Sequence, residues 1–291
     1  MQDSDYFDTL QEEAAGCWME RSKAMDLSTA RHAFVTGGAS GIGLGIVDAM
    51  VGRGVRVTIA DIDEDSLRSV VAERGPAVRG AVLDTRDREG WARAKTEAEA
   101  AFGPVDLLVN NAGIAPNGRE FADMDPASFD RIVAINLTGV ANGVFTFAAD
   151  MRARGKGHVV NTSSQAGLVA SVPGVGAYAV AKFGVTALTE ALRQELAPHG
   201  VGVSLLCPGY IATNLAESTR KVGGEIRDAA GRMPPSRITV EDVGLMVVEG
   251  IENDEPCIVT HPRVWSSVEP RFAAIRAACE HRDSQATPPH G

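Results

Sequence analysis

The stretch that decides the fold runs from His32 to Met50, HAFVTGGASGIGLGIVDAM. A short apolar, β-branched run leads into a glycine-rich turn, Thr36-Gly37-Gly38-Ala39-Ser40-Gly41-Ile42-Gly43, and a segment of helical period follows. Strand, tight turn and helix in that order open a βαβ unit. Glycine lets the backbone turn sharply and approach an anion closely, while the helix start offers free N–H groups and the positive end of its dipole. The turn therefore predicts a phosphate-binding cradle built from Gly37, Ser40, Gly41, Ile42 and Gly43. Taken alone it is weak evidence, because any strand-to-helix turn can hold two glycines, so the rest of the chain has to agree.

The same alternation continues outward. Candidate strands occupy 32–37, 55–61, 78–84, 105–111, 157–164, 201–209 and 257–261. They are apolar almost throughout, as strands buried on both faces of a parallel sheet are. Helical segments lie between them at 42–53, 64–73, 88–102, 128–154, 177–199 and 240–253. Gly54, Gly103 and Gly200 each follow a helical run, where a left-handed residue is wanted. Thr239 with Asp242 resembles a capping box. The pattern predicts an α/β protein: a Rossmann-type doubly wound, seven-stranded parallel sheet flanked by helices in an αβα sandwich. Residues 31–270 read as one domain. Residues 1–30 form an acidic extension within which Met25 is an alternative start, and 271–291 read as a helix end and a polar, mobile tail.

Composition narrows the function. The 291 residues are 44% hydrophobic and 23% charged, which supports a sizeable core. A formal net charge of −10 argues against nucleic acid or an anionic membrane as partner. No apolar run approaches the roughly 18 or more residues a membrane helix needs. Cys17, Cys207, Cys257 and Cys279 are widely spaced, with no CxxC pair, so neither a disulfide framework nor a zinc site is indicated. The acidic amino terminus does not read as a signal peptide. A cytoplasmic protein without metal is expected.

Further signals gather at strand ends. Asp61 closes the second strand, where a carboxylate accepts hydrogen bonds from ribose hydroxyls and repels a 2′-phosphate. No Arg or Lys stands beside it in the sequence, so the expected cofactor is NAD and not NADP. Asp84 and Thr85 end the third strand, and Asn110-Asn111-Ala112-Gly113 the fourth. Both lie at the carboxyl edge, where open α/β sheets bind ligands. Asp84 suits the adenine amino group, and Gly113 admits a flat ligand close to the backbone.

The fifth strand ends in Thr162-Ser163-Ser164, and Tyr178 and Lys182 follow in a helical segment. A spacing of four puts phenol and ammonium one turn apart on one face. A phenol titrates near 10, and a neighbouring ammonium stabilises its phenolate, which would let Tyr178 act as general base or acid near neutrality. Ser164 would hold the substrate oxygen. An isolated YxxxK is more often a surface pair, but here it follows a serine-bearing strand end and a nucleotide-binding front half.

Together these motifs resemble the short-chain dehydrogenase/reductase family from about Arg31 to His261. The TGxxxGxG turn, the NNAG segment and YxxxK occur in the family's order. The resemblance implies that Asn136 kinks a helix and anchors a water leading to the lysine. Asn136, Ser164, Tyr178 and Lys182 would then form a catalytic tetrad. It further implies that Tyr178 and Lys182 also contact the cofactor, Lys182 at the nicotinamide ribose. Pro208-Gly209 and Thr213 match the family's cofactor-binding PGxxxT segment, which implies that Ile211 and Thr213 hold the carboxamide. Ser164 and Tyr178 are one residue farther apart than in many relatives, and Ser163 is the alternative serine.

Residues 214–237 read as a substrate lid with Gly223-Gly224 and Pro234-Pro235 as hinges. Ile114, Leu168, Val169, Val172 and Val175 suggest a pocket for a moderately hydrophobic alcohol or ketone. The expected activity is NAD-dependent interconversion of a secondary alcohol and a ketone. A nucleotide-sugar epimerase or dehydratase and a catalytically silent dinucleotide-binding redox sensor are the alternatives. The resemblance implies a homotetramer packed through the Tyr178 helix and the long helix before it, whose apolar face carries Val140, Val144 and Phe145.

Overall fold

The structure, a computed structural model, describes residues 25–226 and 237–286. The expectations for the first 24 residues, for Pro234-Pro235 and for the last five residues lie outside it. Strands β1 (His32–Thr36), β2 (Arg56–Asp61), β3 (Val78–Val82), β4 (Leu107–Asn110), β5 (Gly157–Thr162), β6 (Val201–Cys207) and β7 (Cys257–Val259) pair in parallel. Their order, β3-β2-β1-β4-β5-β6-β7, is doubly wound. The direction of winding reverses between β1 and β4, and a crevice opens outside their carboxyl ends.

The strands read apolar because they are covered twice. On β1, Ala33 and Val35 join one core with Ile46 and Val247, while Phe34 joins the other with Trp91 and Phe147. The Phe34 ring lies 5.7 Å from that of Trp91 and 5.1 Å from that of Phe147. Helices α1 (Gly41–Gly52), α2 (Glu64–Arg74), α3 (Arg88–Phe102), α4 (Pro126–Val133), α5 (Gly139–Arg154), α6 (Gly176–Leu196), α7 (Leu215–Lys221), α8 (Val240–Glu252) and α9 (Trp265–Ala286) supply the layers and flanks. α1 and α8 cross backbone to backbone: a Cβ on Gly45 would sit 2.1 Å from the Val240 carbonyl oxygen. The Thr239–Asp242 capping box opens α8, with both reciprocal bonds present. Gly54, Gly103 and Gly200 have positive φ, as their places after helices require.

Two expectations need revision. The run 128–154 is two helices joined by a π turn, Ala134–Thr138. The whole segment Pro126–Arg154 is apolar enough by composition to span a membrane, yet 56% of its most apolar window is buried in the protein. Asn136, Thr138 and Asn142 interrupt what would otherwise be an apolar run. Among the described residues the carboxyl end is helical through Ala286, which takes in the start of the stretch from Asp283 expected to be a polar tail. Parallel pairing of β6 and β7 also brings Cys207 and Cys257 together, with their sulfurs 4.0 Å apart as free thiols.

Candidate active site

One cavity of about 1750 Å³ runs along the carboxyl edge of the sheet. Every candidate site residue lines it except Gly43. Gly43 acts from beneath: a Cβ there would fall 2.1 Å from the Gly37 carbonyl oxygen, so its absence lets α1 start directly under the turn. Gly37, at φ +62°, leaves no room either, since a Cβ would meet the Ala112 Cα at 2.9 Å. Ser40 precedes α1 in extended conformation and makes no side-chain cap bond, which leaves the helix N-terminus uncapped toward the cavity. A cradle with no side chains on its floor and free donors at a helix start fits a pyrophosphate.

The walls of this end are braced by hydrogen bonds. Asp61 accepts from Ala39 N and Asp63 N, each at 3.1 Å, so the strand end is tied to the turn. Burial pushes its carboxyl up from the ordinary value. Asn111 holds the turn from the other side, its Nδ2 donating to the Thr36 carbonyl at 3.1 Å. Asp84 lines the cavity with a partner already in place. Arg86 grips both its oxygens, with Nη2 2.6 Å from Oδ2, so the carboxylate is already engaged and held below the usual range.

At the other end, the Lys182 ammonium is buried and donates to the Thr162 carbonyl oxygen at 2.8 Å. It lies 5.6 Å from the centre of the Tyr178 ring, one turn back along α6. Burial lowers its pKa from 10.5 to about 8. Desolvation also pushes the Tyr178 phenol up to about 12, and the neighbouring Ser164 hydroxyl draws it only part of the way back. In the protein's own field the phenol therefore stays above its ordinary value despite the nearby ammonium. The ammonium faces a strand carbonyl, and loss of water outweighs its influence on the phenol.

The two serines separate cleanly by position. Ser163 is buried, and its hydroxyl is spent on the Lys182 carbonyl at 2.9 Å and on Thr186 at 3.1 Å. Ser164 opens on the cavity. Asn136 sits in the π turn, where the backbone leaves ordinary helical register. Its amide clasps Ile114: Oδ1 accepts from Ile114 N at 2.8 Å, and Nδ2 donates to Ile114 O at 3.1 Å. Gly113 stands between Asn136 and Lys182, since its Cβ would lie 2.6 Å from Asn136 Oδ1 and 3.8 Å from Lys182 Nζ.

Of the apolar pocket residues expected, Ile114, Val169, Val172 and Val175 line the cavity. Leu168 instead packs against the buried cluster of Val140, Val185, Leu205 and Cys207. Phe121 and Tyr210, which the sequence reading missed, also line it and are exposed. Their signal was an aromatic residue in the loop after a strand's carboxyl end. Lys221 was missed as well: α7 carries it over the cavity to Asp63, 158 positions away in sequence.

Comparison with known proteins identifies the family. The model of the short chain dehydrogenase family matches residues 31–222. The C alpha-dehydrogenase of Sphingobium sp. (strain NBRC 103272 / SYK-6) is 35% identical over 262 residues, covering 84% of each chain. A 3-alpha-(or 20-beta)-hydroxysteroid dehydrogenase of Mycobacterium tuberculosis is 37% identical over 64% of this chain and 70% of its own. A short chain dehydrogenase/reductase from Burkholderia phymatum, solved in complex with NAD, superposes with a TM-score of 0.78 at 30% identity, over 87% of this chain and 97% of its own. The chain belongs to the short-chain dehydrogenase/reductase family of oxidoreductases.

Proposed function

We propose that the protein interconverts a secondary alcohol and a ketone with NAD(H), using Tyr178 as the proton-transfer group. The carrying observation is continuity: Ser164, Tyr178 and Lys182 share one cavity with the glycine cradle and Asp61. The family and the NAD-bound structural neighbour support the cofactor, and the cradle fits its pyrophosphate. Bound NAD supplies the hydride acceptor for oxidation and, once reduced, the donor for the reverse reaction. The chain supplies the rest. Ser164 hydrogen-bonds the substrate oxygen, and Tyr178 takes the hydroxyl proton during oxidation or returns it during reduction. Lys182 favours the phenolate by its charge, and Asn136 fixes the loop carrying Gly113 and Ile114 beside them. Asp61 would face the adenosine ribose and disfavour a 2′-phosphate.

The cavity supports a bulky substrate. Drug-sized ligands occupy roughly 300–1,000 Å³, so about 1750 Å³ accommodates a dinucleotide and a sizeable second molecule. Ile114, Phe121, Val172 and Tyr210 give the substrate end apolar walls. A moderately hydrophobic alcohol or ketone is the class proposed. Phe145 on α5 and Val180 on α6 are exposed, consistent with the proposed homotetramer, whereas Val140 and Val144 belong to the core. Light scattering tests the assembly. The activity is tested by following absorbance at 340 nm with NAD and a panel of aryl and alkyl secondary alcohols. Turnover abolished by Tyr178→Phe is expected. Tight NADH binding without turnover across the panel would favour a silent dinucleotide sensor instead.

A further inference from the structure

Lys221 ends α7, the short helix over the cavity, yet its ammonium reaches the wall at the end of β2, where Nζ lies 2.5 Å from Asp63 Oδ2. Asp63 in turn donates its backbone N–H to Asp61. One residue therefore separates the lid's cation from the carboxylate assigned to the adenosine ribose. Asp61, Asp63 and Lys221 all line the cavity. Arg86, another cation lining the cavity, is held by Asp84. A second acid near Lys221, Glu217 at 3.8 Å, is 65% exposed and one turn back on the same helix, so its hold is weak.

A lysine at this wall would oppose the repulsion that Asp61 exerts on a 2′-phosphate, because a flexible ammonium is a ready phosphate partner. Asp63 removes that opportunity by engaging it. The pair is also kept in place from the lid side. Thr219, buried on α7, accepts a hydrogen bond from Ala115 N at 2.9 Å, which anchors the helix independently of Lys221. Loss of the ion pair would thus leave Lys221 overhead and its charge unspent.

We propose that Asp63 is a second cofactor-selectivity residue, acting by holding Lys221 away from the 2′-phosphate of NADP. This rests on the reading that Asp61 faces the adenosine ribose, and the test separates the two. NADH and NADPH are titrated by nicotinamide fluorescence into the full chain and its Asp61→Ala form. The same titrations follow for Asp61→Ala/Asp63→Asn and for that double variant with Lys221→Gln. Asparagine keeps the acceptor that Asp63 gives Ser66 N at the start of α2, and thermal melts verify folding.

Asp61→Ala should narrow the preference for NADH. Adding Asp63→Asn should tighten NADPH about tenfold further, the scale of one charge-assisted hydrogen bond. Lys221→Gln should then erase that gain and leave NADH binding unchanged. An unmoved preference in Asp61→Ala overturns the ribose reading and the inference built on it. A relaxed preference in Asp61→Ala with no added effect of Asp63→Asn overturns the inference alone. So does a gain that survives Lys221→Gln, which would assign it to another cavity cation, Arg86 or Arg237, or to loss of the Asp63 charge.

Discussion

Lys182→Met should make the protein more stable and inactive. The ammonium is 3% exposed, and burial moves its pKa from 10.5 to about 8. That displacement corresponds to about 3 kcal/mol spent on keeping the cation inside. Methionine has similar length and no charge, so it avoids this cost. It also leaves the Thr162 carbonyl without its donor, and an orphaned buried acceptor costs about 1–3 kcal/mol. The balance at pH 7 is a gain of up to about 2 kcal/mol, or a few degrees in Tm at roughly 2–4 °C per kcal/mol. The pH dependence fixes the origin of the gain. Because the folded pKa lies below the unfolded value, between about pH 8 and 10 the unfolded chain holds a proton that the native chain has released, and native stability rises with pH. Below that window both states are protonated and the cost is paid in full. The advantage of methionine should therefore be greatest at pH 7 and shrink towards pH 10, with Tyr178 common to both proteins. Urea melts of the two at pH 7, 8.5 and 10 measure it, and turnover should fall about 10²–10⁴-fold. A variant less stable at pH 7 by more than the orphaned carbonyl accounts for, or a gap constant from pH 7 to 10, would refute the reasoning.

Tyr178→Phe should lower kcat by about 10²–10⁴ while NADH binding, read by nicotinamide fluorescence, persists. Ser164→Ala should reduce kcat with little change in Tm. Ser163→Ala should do the reverse, losing about 1 kcal/mol of stability because its hydroxyl bonds the Lys182 carbonyl; kinetics and melts on each variant assign the roles. Asn136→Ala strips both polar partners from Ile114. It should lower stability by about 2–4 kcal/mol, read by urea denaturation, together with activity.

The fold was legible because its signals are local and repeated. β1 to β7 are apolar for the same reason, burial on both faces, and the helices between them have their own period and caps. The glycine turn, Asp61, and the Tyr178–Lys182 spacing were legible because chemistry fixes them over a few residues. Position, not spacing, separated Ser163 from Ser164: both directly follow β5, and only packing against Thr186 shows which hydroxyl is already used. Asp84 looked free because Arg86, two residues on, could as readily have pointed to solvent. The π turn at Asn136 leaves no periodic trace, since a single widened turn shifts the helical phase only slightly. Lys221 and Asp63 meet across 158 positions, and Cys207 and Cys257 through strand pairing. Contacts of that kind follow from the completed sheet and lid, and no local pattern announces them.

The elevated phenol gives the proposed reaction a direction-dependent pH profile. With its pKa near 12, Tyr178 is protonated at neutral pH. Removing that proton at pH 7 costs about 7 kcal/mol in the protein's own field. For ketone reduction this is the useful state, because the proton to be given is already present and remains so across the neutral range. For alcohol oxidation it is the wrong state. The phenolate must form first, favoured by Lys182 and by the positive charge of an oxidised nicotinamide, so its population rises with pH. The rate of oxidation, as kcat/KM, should therefore climb with pH between 6 and 8, approaching tenfold per unit. It should level off where Tyr178 titrates in the complex. Reduction should stay flat or fall over the same interval. Once a turned-over alcohol is found, both profiles can be measured with one enzyme preparation, and Lys182→Arg, which keeps a charge, should preserve the shape better than Lys182→Met. An oxidation profile flat from pH 6 to 9 would mean that another group receives the proton, and Tyr178 would lose its assigned role.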